Sequence, residues 1–245
     1  MSQNQTRPPT GAPAPRPTDG TDGSGRMRPG VPEIVVGLLV WTVAVRVLVP
    51  RLRELELDPV VTGLVLTSLS GIFGLLGFAA ALGLRIRSVP AFGLRPVTRR
   101  WVLVAVGLGV ATLVVKSLAS AAWIYLSGDT SNPQAEYAQG AGGGVVALVL
   151  ATVFLGLLTP FGEELLFRGV VTNALLRYGP VVGVVGSAAV FALYHGINSV
   201  LPGAFVVGLV TAELFRRTGS VWPGVIVHVV VNLPAPLISV LADLG

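Results

Sequence analysis

Cysteine is absent from the 245-residue chain. That excludes disulfides, thiolate catalysis and cysteine-ligated iron–sulfur or zinc sites. Charge is scarce as well: 12% of the residues are Asp, Glu, Lys or Arg, against roughly 25% in a soluble domain. This scarcity excludes a soluble globular enzyme and a DNA-binding domain. Lys116 is the only lysine, and His195 and His228 are the only histidines. No G-x-S-x-G elbow and no H-E-x-x-H zinc motif occur, and the Gly140 to Gly144 run lacks the Lys-Ser/Thr of a phosphate loop.

What is abundant is apolar residue, at 52% of the chain and a mean hydropathy of +0.77. It comes in long blocks at Ile34 to Val49, Val60 to Leu84, Trp101 to Leu126, Val145 to Thr159, Pro180 to Leu193, Leu201 to Phe215 and Val221 to Leu241. Runs approaching 20 apolar residues match the hydrocarbon width of a bilayer. The expected fold class is all-α: a polytopic transmembrane helical bundle of about seven spans. Met1 to Gly30 is rich in Pro, Gly, Thr and Arg and has no apolar run. It reads as a disordered tail, and it lacks the apolar core of a signal peptide. The expected organisation is a tail over 1–31, N-terminal membrane helices over 32–142 and a functional core over 143–245.

The formal charge of +5 is spread over short loops, so it indicates membrane topology and no nucleic-acid partner. Arg85, Arg87, Arg95, Arg99 and Arg100 share a loop without acids, whereas Ser127 to Gly142 carries Asp129 and Glu136 and no cation. The first loop is expected inside and the second outside. Counting from them puts the N-terminus, with Arg7, Arg16, Arg26 and Arg28, in the cytoplasm of a multi-pass protein expected in the cell membrane. Glu213 with Arg216 and Arg217 reads as an ion pair near the interface, Tyr194 and Trp222 as packing or interfacial anchors, and Asn198 as a loop residue.

Ionisable groups in a membrane helix cost about 2.5–3.5 kcal/mol each on insertion scales, and they mark function or a paired partner. Phe161-Gly162-Glu163-Glu164-Leu165-Leu166-Phe167-Arg168 holds three. Glu164 and Arg168 stand four residues apart on one helix face and can pair. Glu163 points roughly 100° away, without that cation, and suits a group that accepts and returns a proton. His195 closes the apolar run at Tyr194, and His228 and Asn232 share a helix face. At about 1.5 Å per residue, Glu163 and His195 each lie roughly 23 Å from the turn at Gly179-Pro180. His228 and Asn232 lie roughly 14 and 20 Å from the turn near Gly219. The four groups can therefore converge in one cavity within the membrane.

A carboxylate beside an imidazole can activate water, and a second imidazole with a carboxamide can donate to an oxyanion. These are the parts for amide hydrolysis. The same Glu163, His195 and His228 could also hold a divalent metal such as zinc.

Glu163-Glu164-x-x-x-Arg168, Phe191-x-x-x-His195 and His228-x-x-x-Asn232, in this order, resemble the CPBP family of intramembrane proteases. That family includes the CAAX prenyl endopeptidases and bacteriocin-processing and immunity proteins. Phe92-Gly93-Leu94-Arg95 and the stretch from Phe215 to Pro223 are similar to the family as well. The motifs cover roughly residues 145 to 240. The resemblance implies a membrane endopeptidase acting on a membrane-associated protein or peptide. It implies that Glu163 and His195 activate water, that His228 and Asn232 hold the oxyanion, and that Glu164 and Arg168 are a supporting pair. It leaves open glutamate or metal dependence. The alternative is a non-catalytic membrane protein of the same fold, an immunity factor or scaffold.

Overall fold

Local chemistry fixes where the first helices begin. Helix α1 (Val31–Glu54) starts with Pro32 in its first turn, and the Glu33 carboxylate accepts the Gly30 N–H at 2.7 Å. Helix α2 (Pro59–Leu84) starts on Asp58, whose side chain accepts the Val60 N–H at 2.9 Å. Both arrangements satisfy N–H groups that a helix start leaves unpaired. The computed structural model describes residues 27–129 and 131–243. The disorder expected for the tail therefore lies, up to residue 26, outside the described residues.

The remaining helices are α3 (Arg99–Ser127), the short α4 (Ala135–Gln139), α5 (Val145–Tyr178), α6 (Val182–Tyr194), α7 (Leu201–Thr218), α8 (Trp222–Asn232) and α9 (Ala235–Asp243). Among the described residues the architecture is an all-helical bundle of a multi-pass membrane protein. Five stretches are long and apolar enough to cross a bilayer: α1, α2, α3, α5 and Trp222–Leu241, which joins α8 to α9. The hydropathy reading gives about seven segments, and the difference has a physical reason. Helix α6 is only about 20 Å long at 1.5 Å per residue, and α7 carries Glu213, Arg216 and Arg217 in its last turns. These arginines pair with Glu213 at 2.6 Å each.

The outer faces of α1 and α3 present Leu39, Val43, Leu103, Val110 and Leu118 outward, as helices solvated by lipid do. The inner core is aromatic. Phe167 packs edge-on against Trp41 at 5.4 Å and against Phe191 at 4.9 Å between ring centres. At one end of the bundle α1 is tied to α2 by Arg85, which donates to the fully buried Glu33 at 2.6 and 2.9 Å.

Two features position the site. Helix α5 is not regular: π-helical turns at Phe154–Leu158 and Leu165–Thr172 flank an α-helical turn at Thr159–Glu164. Pro160 lacks the N–H that a regular turn would use, and a π-bulge absorbs such a defect. Here it sets the angle at which the two glutamates leave the helix. Second, α2 crosses α5 with glycine on both sides. A Cβ on Gly162 would overlap the Gly71 backbone, and one on Gly74 would overlap Gly162. Small residues let membrane helices approach this closely.

The segments Phe92-Gly93-Leu94-Arg95 and Phe215 to Pro223 meet. Val221 N–H donates to Gly93 O at 2.9 Å, and Ser220 Oγ donates to Arg95 O at 2.6 Å. Gly93 has φ +83° and lies against the Phe215 ring, a position where a side chain fits neither the backbone nor the space.

Candidate active site

Glu163 leaves the short α-helical turn of α5 toward α2, and its side chain is almost fully buried. Its two oxygens have different surroundings. Oε1 accepts a hydrogen bond from Ser70 Oγ on α2 at 3.0 Å. Oε2 is buried and has no hydrogen-bond partner among the described residues. It lies 4.0 Å from His195 Nε2 and 3.9 Å from His228 Nε2. Both separations are too long for a direct hydrogen bond.

The imidazoles are fixed through their other nitrogens. His195 Nδ1 lies 2.9 Å from Phe191 O, one turn back. A carbonyl can only accept, so Nδ1 carries the hydrogen and a neutral ring presents a lone pair at Nε2. Asn198 holds the chain just after His195: its Nδ2 donates to His195 O at 2.9 Å and its Oδ1 accepts the Val200 N–H at 2.8 Å. His228 Nδ1 lies 3.0 Å from Glu164 Oε1, again a hydrogen given to an acceptor.

Glu164 is in turn paired. Its Oε2 lies 3.0 Å from Arg168 Nε, and both side chains are buried. Arg168 donates through Nε to Thr211 Oγ1 on α7 at 2.6 Å and also through Nη2 to the same oxygen. Its guanidinium stands 4.4 Å over the Phe191 ring. Gly224 on α8 leaves the room for Glu164, since a Cβ there would come within 2.5 Å of Oε2. A chain of contacts thus runs from α7 through Arg168 and Glu164 to His228.

Asn232 lines the same cavity as Glu163, His195 and His228. It does not bond to them: its Nδ2 donates to Leu155 O at 3.3 Å, across to the first π-helical turn of α5. The cavity has a volume of about 700 Å³, and Trp41, Tyr137 and Lys116 also line it. Tyr194 Oη and Thr42 Oγ1 share a hydrogen bond of 3.0 Å at its α1 side, and Trp222 stacks on Phe161 at 5.8 Å.

Ser70 and Thr211 are the side chains of the candidate site that sequence reasoning does not find. Ser70 lies 93 positions from Glu163 in a helix whose polar residues include other serines and threonines. Only the glycine pattern of α2 around it is a signal, and it indicates close packing, not a partner.

The metal-ligand reading of Glu163, His195 and His228 gains no support from the structure. Among the described residues no group of three or more His, Asp and Glu side chains is arranged to hold a metal ion.

Residues 145–234 match the family model described as Type II CAAX prenyl endopeptidase Rce1-like. Over this segment the chain is similar to the Rce1-like endopeptidases of the CPBP family. The segment includes Glu163, Glu164, Arg168, His195, His228 and Asn232, while Ser70 lies outside it. Comparison with curated proteins and with solved structures finds no match.

Proposed function

We propose that the protein is an intramembrane endopeptidase in which Glu163 activates water against a peptide bond of a membrane-associated substrate. The observation that carries this reading is the free Oε2 of Glu163, set about 4 Å from two imidazole nitrogens in a cavity within the membrane helices. Groups at that separation share one water well. The match to CAAX prenyl endopeptidases supports this class of reaction. The C-a-a-X signal is a C-terminal one that carries a prenyl group on its Cys, so the substrate class is a lipid-anchored C-terminus delivered from the bilayer. The arginine-rich loops favour a cytoplasmic N-terminus.

In this mechanism water gives one hydrogen to the lone pair of His195 Nε2 in a hydrogen bond and loses its other proton to Glu163 Oε2 as its oxygen attacks the carbonyl carbon. The oxyanion accepts from the Asn232 Nδ2–H that Leu155 does not use and from His228 Nε2–H, a donor the ring offers only as the imidazolium, with its Nδ1–H kept on Glu164. The carbon–nitrogen bond breaks, and Glu163 returns the proton to the departing amine. One water is consumed, and a carboxylic acid and an amine are released. Ser70 holds Glu163 Oε1 so that Oε2 is the oxygen presented. Glu164 and Arg168 hold His228.

The test is cleavage of a fluorescent prenylated CAAX peptide in proteoliposomes. Glu163→Gln is expected to abolish turnover while the protein inserts normally. Wild-type turnover by that variant would refute the reading and favour a non-catalytic immunity factor or scaffold of the same fold.

A further inference from the structure

Lys116 is the chain's one lysine, and the reaction above gives it no role. It lies within α3, about 25 Å along the helix from Arg99 and about 16 Å from Ser127 at 1.5 Å per residue. A lysine placed this far inside a span is costly and calls for a partner. Among the described residues it has no hydrogen bond and no ion pair. Its side chain lines the catalytic cavity, one turn from Ser120 on the same face of α3. Gly203 on α7 makes room for both: a Cβ there would lie 3.0 Å from Ser120 Oγ and 3.5 Å from Lys116 Cβ.

The other charges that line the cavity are committed. Arg53 pairs with Glu136 at 2.7 Å. Glu163 faces Ser70 and the two histidines. Lys116 is therefore a cation presented to the cavity without a protein anion, and an anion brought by a ligand completes it.

Resting on the endopeptidase reading, we propose that Lys116 binds the terminal carboxylate of the substrate. The spacing fits a short C-terminal product. Gly109 on α3 packs against Val230 on α8, between His228 and Asn232, where a Cβ would come within 2.8 Å of Val230 Cβ. Lys116 lies seven residues further along α3, about 10 Å by helical rise. Three extended residues span about 10 Å. A peptide cut between Glu163 and His228, with three residues beyond the cut, brings its carboxylate to the level of the ammonium. Lys116 thereby measures the distance from the cut to the chain end.

The experiment compares two fluorescent peptides with a prenylated cysteine four residues from the end, one a free acid and the other the C-terminal amide. The full-length protein is reconstituted in zwitterionic vesicles and, separately, in vesicles containing phosphatidylglycerol. The wild type is expected to favour the acid by about tenfold or more in kcat/KM, the size of effect a charge-assisted hydrogen bond produces. Lys116→Met is expected to lose that preference through KM, with the amide cleaved as before, and Lys116→Arg to retain it. Equal loss on both peptides, or no acid preference in the wild type, overturns the proposal. Loss of the preference in phosphatidylglycerol vesicles alone gives the cation to a lipid phosphate and overturns it too. Binding of the two peptides to Glu163→Gln, read by fluorescence anisotropy, separates the claims. Lys116-dependent acid preference in binding without any wild-type cleavage would sustain the carboxylate site and refute the endopeptidase.

Discussion

Glu164 holds one nitrogen of the His228 ring at 3.0 Å, and Glu163, its neighbour in sequence, stands 3.9 Å from the other. Adjacent residues on a helix diverge by roughly 100°, so one imidazole between them can be gripped by one carboxylate and faced by the other. The pair divides the labour by environment. Glu164 is neutralised by Arg168 and serves as an anchor, whereas Glu163 Oε2 is left without a partner in the cavity.

Removing the Ser70 hydroxyl frees Glu163 Oε1. Ser70→Ala is expected to lower kcat by about tenfold or more, the weight of a hydrogen bond to a charged group, with KM and thermal stability little changed. Kinetics on the prenylated peptide decide it. Unchanged kcat would remove Ser70 from the positioning of Glu163.

Breaking the buried ion pair is a stability experiment. Arg168→Met leaves the Glu164 carboxylate uncompensated, a change that costs about 3–5 kcal/mol in buried pairs. Thermal unfolding in detergent is expected to show a large drop in Tm. The double variant Glu164→Gln with Arg168→Met is expected to recover part of it while activity stays low, because His228 has lost its anchor. A stable Arg168→Met protein would contradict the pairing.

The glycine crossing predicts a contrast between a packed and an open glycine. Gly162→Ala places a methyl on the Gly71 backbone, so inserted protein is expected to lose Tm and activity together. Gly83→Ala, near the end of α2 with open space around it, is expected to be neutral or to gain up to about 1 kcal/mol from helix propensity. Equal behaviour of the two variants would mean that α2 does not press on α5 as described.

Chelation tests the donor geometry. Incubation with 1,10-phenanthroline, followed by removal of the chelator, is expected to leave cleavage rates unchanged. Inactivation that added zinc reverses would show that Glu163 and the histidines rearrange around an ion.

Much of the bundle was legible because it rests on local rules. The apolar runs locate the helices, and the four-residue spacing of Glu164 and Arg168 brings them to 3.0 Å. Equal helical depths from a shared turn give Glu163 and His195 a common level, and their polar atoms come within 4.0 Å. Long-range partners were not legible. Nothing in the α2 sequence separates Ser70 from Ser68, whose hydroxyl bonds to Val65 O in its own helix. The orientation of Asn232 toward Leu155 depends on the π-helical turns, which hydropathy does not register. Counting apolar runs gives about seven segments where five helices are long and apolar enough to cross a bilayer, because a run registers neither the short length of α6 nor the charged last turns of α7.

Since the hydroxyl that fixes Glu163 comes from Ser70, the stretch from Val145 onward is not a detachable module. Cut free, it would keep its acid and imidazoles yet present a swivelling carboxylate and an uncovered glycine seam to lipid. Supplying residues 27–144 as a separate polypeptide in the same bilayer should restore the missing wall, much as a mortise receives its tenon.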